Sequence, residues 1–137
     1  MTRRLLVVDD DPDLRELLGL CLLDTGWLID TAADGEEGLH RCRDEHYDGV
    51  LLDLDMPRLD GRQTLAALRA DAGTASVPVV FLTAAADPAL TATLTELGAA
   101  DVLGKPFDPT GLGARLAAAF GWLTTTDDRL GGPQPAA

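Results

Sequence analysis

Val50-Leu51-Leu52-Asp53-Leu54-Asp55-Met56-Pro57 decides how this chain is read. Three apolar residues run unbroken into an aspartate, and the chain then turns at Pro57. A short apolar run bounded by a turn signal reads as a strand buried on both faces, the kind that parallel sheets contain. In open α/β sheets, ligands bind beyond the carboxyl ends of the strands. Asp53 is therefore placed on the border between core and water. An aspartate there is, taken alone, usually a turn residue or a helix cap. Its meaning depends on what else reaches the same edge.

Outward from this stretch the pattern alternates between strand and helix. Leu5-Leu6-Val7-Val8 is a first buried strand ending in Asp9-Asp10-Asp11. Asp11 is a suitable N-cap and Pro12 a suitable first helical residue. Leu14, Leu17, Leu18, Cys21 and Leu22 follow helical spacing and predict one inward face, and Gly26 stops the helix. Trp27 to Ala32 reads as a weaker strand nearer an edge. A helix after Asp34-Gly35 runs to about Glu45 with Leu39 and Cys42 inward. Asp48 to Asp53 is the third strand. After Asp60-Gly61, a third helix turns Leu65 and Leu68 inward and fades near Ala72.

Val77 to Leu82 is the fourth strand and ends at Thr83, with Pro78 tolerable only near its start. Asp87-Pro88 opens a fourth helix that Gly98 closes. Thr91, Thr93 and Thr95 are mediocre helix formers within it, and most of Leu90, Leu94 and Leu97 are expected in the core. Ala100 to Gly104 is a fifth strand, ending at Lys105-Pro106. Asp108-Pro109 is expected to open a fifth helix with Leu112, Leu116 and Phe120 inward. Residues 1–123 thus form one domain. From about Thr124 periodicity is lost, and 124–137 reads as a disordered tail or the start of a linker.

Strands alternating with helices imply an α/β fold: one doubly wound, five-stranded parallel sheet with five helices on its two faces. Right-handed crossovers favour the flavodoxin-like order 2-1-3-4-5, which makes strands 1 and 3 neighbours at the switch point.

The net charge of −12 argues against direct nucleic-acid binding, which rests on Lys and Arg neutralising phosphates, and against docking on anionic lipid. Cys21 and Cys42 lack metal or redox spacing and read as small core side chains in a reducing compartment. The apolar run Leu5 to Val8 is too short for a signal peptide or a membrane span, so the expected location is cytoplasmic.

In that topology the strand ends converge. Strand 1 delivers Asp9 and Asp10, strand 3 Asp53 with Asp55 two residues on, strand 4 Thr83, and strand 5 Lys105. Two carboxylates about 4 Å apart repel by roughly 4 kcal/mol at an effective dielectric near 20. Such a cluster raises a pKa or binds a cation, and hard oxygen ligands with room for waters suit Mg²⁺. A hydroxyl and an ammonium opposite the metal suit the oxygens of a transferring phosphoryl group, and a carboxylate can be the nucleophile. The expected roles follow. Asp53 attacks phosphorus. Asp10 holds Mg²⁺ with Asp9 assisting, and the backbone carbonyl of Asp55 completes the metal shell. Lys105 pairs with Asp53 at rest and with a phosphoryl oxygen afterwards. The Thr83 hydroxyl bonds another phosphoryl oxygen.

Val8-Asp9-Asp10, Asp53-Leu54-Asp55-Met56-Pro57 with Asp60-Gly61, Thr83-Ala84 and Lys105-Pro106-Phe107 together resemble the receiver domain of two-component response regulators. The resemblance runs from about Arg4 to Gly121. It implies that a histidine kinase or histidine phosphotransfer protein supplies the phosphoryl group. It implies a cis peptide between Lys105 and Pro106. It also implies that the surface of helix 4, strand 5 and helix 5 serves output and a phosphorylation-dependent homodimer. The chain departs from the family at Val102, where many receivers carry a Tyr or Phe that swings with the switch threonine. Thr83 and Val102 are thus the candidate switch pair, with the threonine loop expected to carry the change alone. Asp55 adds a carboxylate beside the site. Ala85 offers no polar group to position water, which implies slow self-dephosphorylation.

A haloacid-dehalogenase-type phosphatase using Asp53 as nucleophile and Asp55 as general acid/base is the alternative. Its motif, however, usually ends the first strand, whereas Asp9-Asp10 precedes it here. A flavin carrier would need an uncharged phosphate-binding loop where Asp9 to Asp11 stand. His40 and His46 read as solvated side chains, and Met56 as a gap-filler.

Overall fold

The computed structural model describes residues 2–122, and the expected tail at 124–137 lies outside them. Five parallel strands, β1 (Arg4–Val8), β2 (Leu28–Ala32), β3 (Gly49–Asp53), β4 (Val79–Thr83) and β5 (Asp101–Gly104), form one sheet in the order β2-β1-β3-β4-β5. Five helices connect and flank them: α1 (Pro12–Cys21), α2 (Gly35–Asp44), α3 (Gly61–Ala70), α4 (Pro88–Glu96) and α5 (Leu112–Phe120). This is the doubly wound order expected, with β1 and β3 adjacent and β2 at an edge.

The two faces separate by strand periodicity. Leu6 and Val8 of β1, Val50 and Leu52 of β3, and Val79 and Phe81 of β4 pack with Leu39, Leu65, Leu68 and Leu94 from α2, α3 and α4. Leu5, Val7, Leu51, Val80 and Leu82 point to the other side and pack with Leu18, Leu112 and Leu116 from α1 and α5. Alternate residues serve opposite faces because side chains alternate along a strand. β3 and β4 are buried along their whole lengths, as their unbroken apolar runs require.

Aspartates start four of the helices. Asp11, Asp34, Asp60 and Asp87 each accept from backbone N–H groups of the first turn, and Asp60 forms a reciprocal capping box with Gln63. Pro12 and Pro88 occupy the first helical positions.

Two expectations need correction. The helix after Asp108-Pro109 starts later, at Leu112. The Asp108 carboxylate accepts from both the N–H and the hydroxyl of Thr110, making a local turn that competes with the helix, and Gly111 and Gly113 do not oppose it. Leu17 is 43% exposed, because Leu14, Leu18 and Leu22 already fill the inward arc of α1 and its continuation. On α4 most of the three leucines reach the core as expected: Leu94 is fully buried and Leu90 packs partly against it, while Leu97 caps the helix end and is 51% exposed. The first helix itself ends at Cys21, and a 3₁₀ turn over Leu23–Thr25 leads to Gly26 in the left-handed region.

One close approach fixes the loop after Asp53. The Gly61 N–H donates to the Leu54 carbonyl at 3.0 Å. A Cβ on Gly61 would stand 2.8 Å from both the Asp53 carbonyl oxygen and Leu54 Cα. Those are backbone atoms that cannot rotate away. Gly61→Ala is expected to destabilise the fold by about 1–3 kcal/mol. Gly19→Ala, inside α1 with open space around its Cβ, is expected to stabilise it by about 0.5–1 kcal/mol. Urea midpoints with unchanged slope check both, and equal effects would contradict the contact argument.

Candidate functional site

Strand register assembles the site. Val8 pairs with Leu52, so Asp9 and Asp53, one residue on in each strand, come to the same edge. Asp53 pairs with Leu82, which places Thr83 next along β4. Thr83 pairs with Gly104, and the Lys105 N–H donates to the Thr83 carbonyl at 2.8 Å. Lys105-Pro106 is a cis peptide.

Side chains then meet across these strand ends. Lys105 Nζ donates to Asp53 Oδ1 at 3.3 Å and lies 3.7 Å from Asp9 Oδ2, an ionic contact too long for a hydrogen bond. The Asp55 N–H also donates to Asp53 Oδ1, at 3.2 Å. The Asp11 N–H donates to Asp9 Oδ1 at 2.9 Å, and Arg15 holds the Asp9 carbonyl at 2.6 Å. One carboxylate oxygen from each of Asp9, Asp10 and Asp53 lies within 4.8 Å of the others. Asp9 and Asp53 are 1% and 2% exposed, while Asp10 faces solvent.

Burial dominates the electrostatics. It pushes the Asp53 pKa up to about 6, with the Asp9 charge adding to the rise and Lys105 opposing it. Burial likewise raises Asp9, against the Asp11 N–H and Lys105. Burial pulls Lys105 down, but Asp9 and Asp53 outweigh it and leave the ammonium above its ordinary value. One cation therefore does not balance the acids around it.

A hard divalent cation fits these residues. The donors are carboxylate oxygens, their charge is in excess, and Asp9 Oδ2 is buried with no hydrogen-bond partner. Asp10, on the open side, leaves room for waters. The orphaned oxygen belongs to Asp9, the acid expected to assist Asp10 at the metal.

The structure brings Asp9, Asp10, Asp53, Asp55, Thr83 and Lys105 to one edge, and holds Val102 apart from it. Val102 packs in the core cluster that contains Phe81 and Leu94. His40 and His46 are exposed, and His46 sits beside Asp48. Cys42 is buried among α2 and sheet residues, and burial pushes its thiol up to about 11, so it is inert packing. The sequence did not foresee the partner of Thr83. Its hydroxyl donates to Asp55 Oδ2 at 3.3 Å, and the Ala85 N–H donates back to Thr83 Oγ1 at 3.2 Å.

A doubly wound sheet with acids, a hydroxyl and an ammonium gathered at its switch-point edge defines an α/β domain of the response-regulator type. The sequence matches the family model of the response regulator receiver domain over residues 5–117, and the chain belongs to that family. It is 42% identical over 118 residues to the DNA-binding response regulator MtrA of Mycolicibacterium smegmatis, an overlap of 86% of this chain and 50% of that protein. The chain spans about half the length of the curated relatives it matches. The chemotaxis protein CheY4 of Vibrio cholerae superposes with a TM-score of 0.81 at 29% identity, covering 87% of this chain and 99% of that one. The receiver domain of sensor histidine kinase PA1611 from Pseudomonas aeruginosa PAO1 superposes with a TM-score of 0.78 at 28% identity, over 88% and 99% of the two chains. That structure has a magnesium ion coordinated in its active-site cleft. The haloacid-dehalogenase alternative gains no support: Asp53-Leu54-Asp55 closes the third strand of this sheet, not the first. Among the described residues, no helix is long and apolar enough to cross a membrane.

A raised carboxyl pKa has a definite consequence for stability. Folding favours the protonated form of Asp53, so its favourable contribution is present at low pH and is lost as pH rises through about 6. Above that, the metal-free protein holds a destabilising buried charge. Asp53→Asn is expected to raise the melting temperature in EDTA at pH 7.5, with the advantage shrinking as pH falls toward 5. Melting curves at both pH values check this, and a pH-independent difference would contradict it.

Proposed function

We propose that this chain is a phosphorylation-controlled switch that accepts a phosphoryl group on Asp53 from a phosphohistidine of a kinase or phosphotransfer protein. The convergence of Asp9, Asp10, Asp53 and Lys105 on one edge of the sheet supports this reading above all else. Asp53 Oδ1 already accepts from Lys105 and from the Asp55 N–H, so Oδ2 is the oxygen left to attack. The new O–P bond forms as the P–N bond of the donor breaks, and the bonding pair leaves with the imidazole nitrogen.

Asp9, Asp10, Asp53 and the backbone carbonyl of Asp55 would hold Mg²⁺. Bound there, the ion neutralises charge on the phosphoryl oxygens. Lys105 moves from sharing the two acids to pairing with a phosphoryl oxygen, at little cost because it is already beside Asp53. Thr83 supplies a hydroxyl to another phosphoryl oxygen. The change reaches the surface of α4, β5 and α5, which controls a partner, a second copy, or an attached output domain. The site modifies itself and does not turn over a free substrate. Two free cysteines, one of them buried, suit a reducing cytoplasm. An acidic chain does not itself bind nucleic acid.

Incubation with Mg²⁺ and acetyl phosphate, followed by intact mass, tests the chemistry. The parent chain is expected to gain one phosphoryl group. Asp53→Asn, or the parent in EDTA, is expected to gain none. Equal labelling of Asp53→Asn would remove Asp53 from the role.

With Ala85 offering no side-chain polar group to a hydrolytic water, the acyl phosphate is expected to persist for minutes or longer. Decay within seconds in the presence of Mg²⁺ would show that another group places the water.

A further inference from the structure

We infer that Asp55 is a positioning residue that holds the Thr83 hydroxyl at rest and thereby weakens the site for a phosphoryl group. The inference rests on the phosphoacceptor function proposed above and goes beyond it. Thr83 is 0% exposed, so water is not an alternative partner for its hydroxyl. A threonine hydroxyl carries one proton and donates one hydrogen bond. Here that proton goes to Asp55 Oδ2 at 3.3 Å. The oxygen itself accepts from the Ala85 N–H at 3.2 Å, which fixes the direction in which the proton points. Thr83 therefore cannot donate to an incoming phosphoryl oxygen until it leaves Asp55.

Asp55 is itself held in place. Its N–H is tied to Asp53 Oδ1, and the loop that carries it is closed by the Gly61 N–H on the Leu54 carbonyl. Asp55 thus links the phosphoacceptor to the threonine, with its backbone N–H on the one and its carboxylate on the other. Its backbone N–H already serves Asp53, and the side chain acts through Thr83. Its effect is competition for one proton, and this separates it from simple repulsion of an anion, which would need only the charge.

The separation is testable with Asp55→Ala, Asp55→Asn and a Thr83→Val background. Asn keeps an acceptor oxygen and loses the charge; Ala loses both. Beryllofluoride with Mg²⁺ serves as the phosphoryl mimic, followed by the Ala85 amide resonance. Asp55→Ala is expected to bind it about fivefold more tightly than the parent, the equivalent of one ordinary hydrogen bond. Asp55→Asn should stay within about twofold of the parent, and in Thr83→Val the Asp55→Ala change should add nothing. In the metal-free protein, the Thr83 hydroxyl proton should be protected in the parent and in Asp55→Asn, and exchange fast in Asp55→Ala. A gain that Asn and Ala share, or that survives in Thr83→Val, overturns the inference in favour of charge repulsion. No gain in Asp55→Ala, or a hydroxyl proton equally protected in all three, also overturns it while leaving Asp53 as phosphoacceptor. A parent that fails to bind the mimic overturns the proposed function and this inference together.

Discussion

Two buried carboxylates share one ammonium, and the rest of the molecule is arranged around that imbalance. Asp9 and Asp53 are almost fully withdrawn from water, and Lys105 lies between them. Removing an ion from water costs several kcal/mol even after the protein relaxes, so a residual negative charge is not tolerated without a reason. Lys105 offsets part of it. The N–H groups of Asp11 and Asp55 offset a further part, each by solvating one carboxylate oxygen. Asp9 Oδ2 receives no hydrogen bond, only the ionic contact with Lys105 at 3.7 Å. The site is therefore under-neutralised on the side where Asp10 opens to solvent, and a small hard cation is the ligand that such a side selects.

That imbalance persists only because the sheet enforces it. The strand ends are fixed by parallel register, and the register is fixed by two apolar layers that side-chain alternation keeps separate. Slipping β3 by one residue would exchange Val50 and Leu52 with Leu51 between the layers and carry Asp53 off the edge. The packing that stabilises the fold and the placement that concentrates charge are thus the same constraint. The aspartates divide by local geometry. Asp11, Asp34, Asp60 and Asp87 meet free N–H groups at helix starts and cap them. Asp9 and Asp53 stand at strand ends at the switch point, where each also receives a backbone N–H but is buried.

Much of this was legible in the residues. Four of the five strands announced themselves as apolar runs ending in acids, Thr83 or Lys105, with β2 the weaker exception, and alternation with capped helices left few topologies to choose from. Less legible was anything decided by competition between neighbours. Nothing in Asp9-Asp10 says which acid turns into the fold, because both precede the same helix. The Asp108-Pro109 pair looks like Asp87-Pro88, yet Thr110 diverts Asp108 into a turn, and the helix waits for Leu112. Leu17 and Leu97 keep helical spacing but fall outside arcs that other leucines already fill. The Thr83–Asp55 hydrogen bond joins residues far apart in sequence through two loops, so no local pattern encodes it.

The same geometry narrows how a signal leaves the site. Val102 is packed in the core with one stiff side-chain torsion, so it cannot swing as a ring would. On the proposed role of Thr83, the route that remains would start there and continue into the segment that joins it to α4. That segment begins Ala84-Ala85-Ala86, with no large side chain to anchor it. The helix that follows buries only Leu94 completely, whereas α3 buries both Leu65 and Leu68. Local opening is least costly where few apolar contacts are broken. On that role, a change in where one hydroxyl proton points would be applied at the end of a fully buried strand, β4, and next to a helix that buries one side chain completely. Rigidity on one side of Thr83 and an all-alanine start to the segment on the other would turn such a rearrangement outward toward α4.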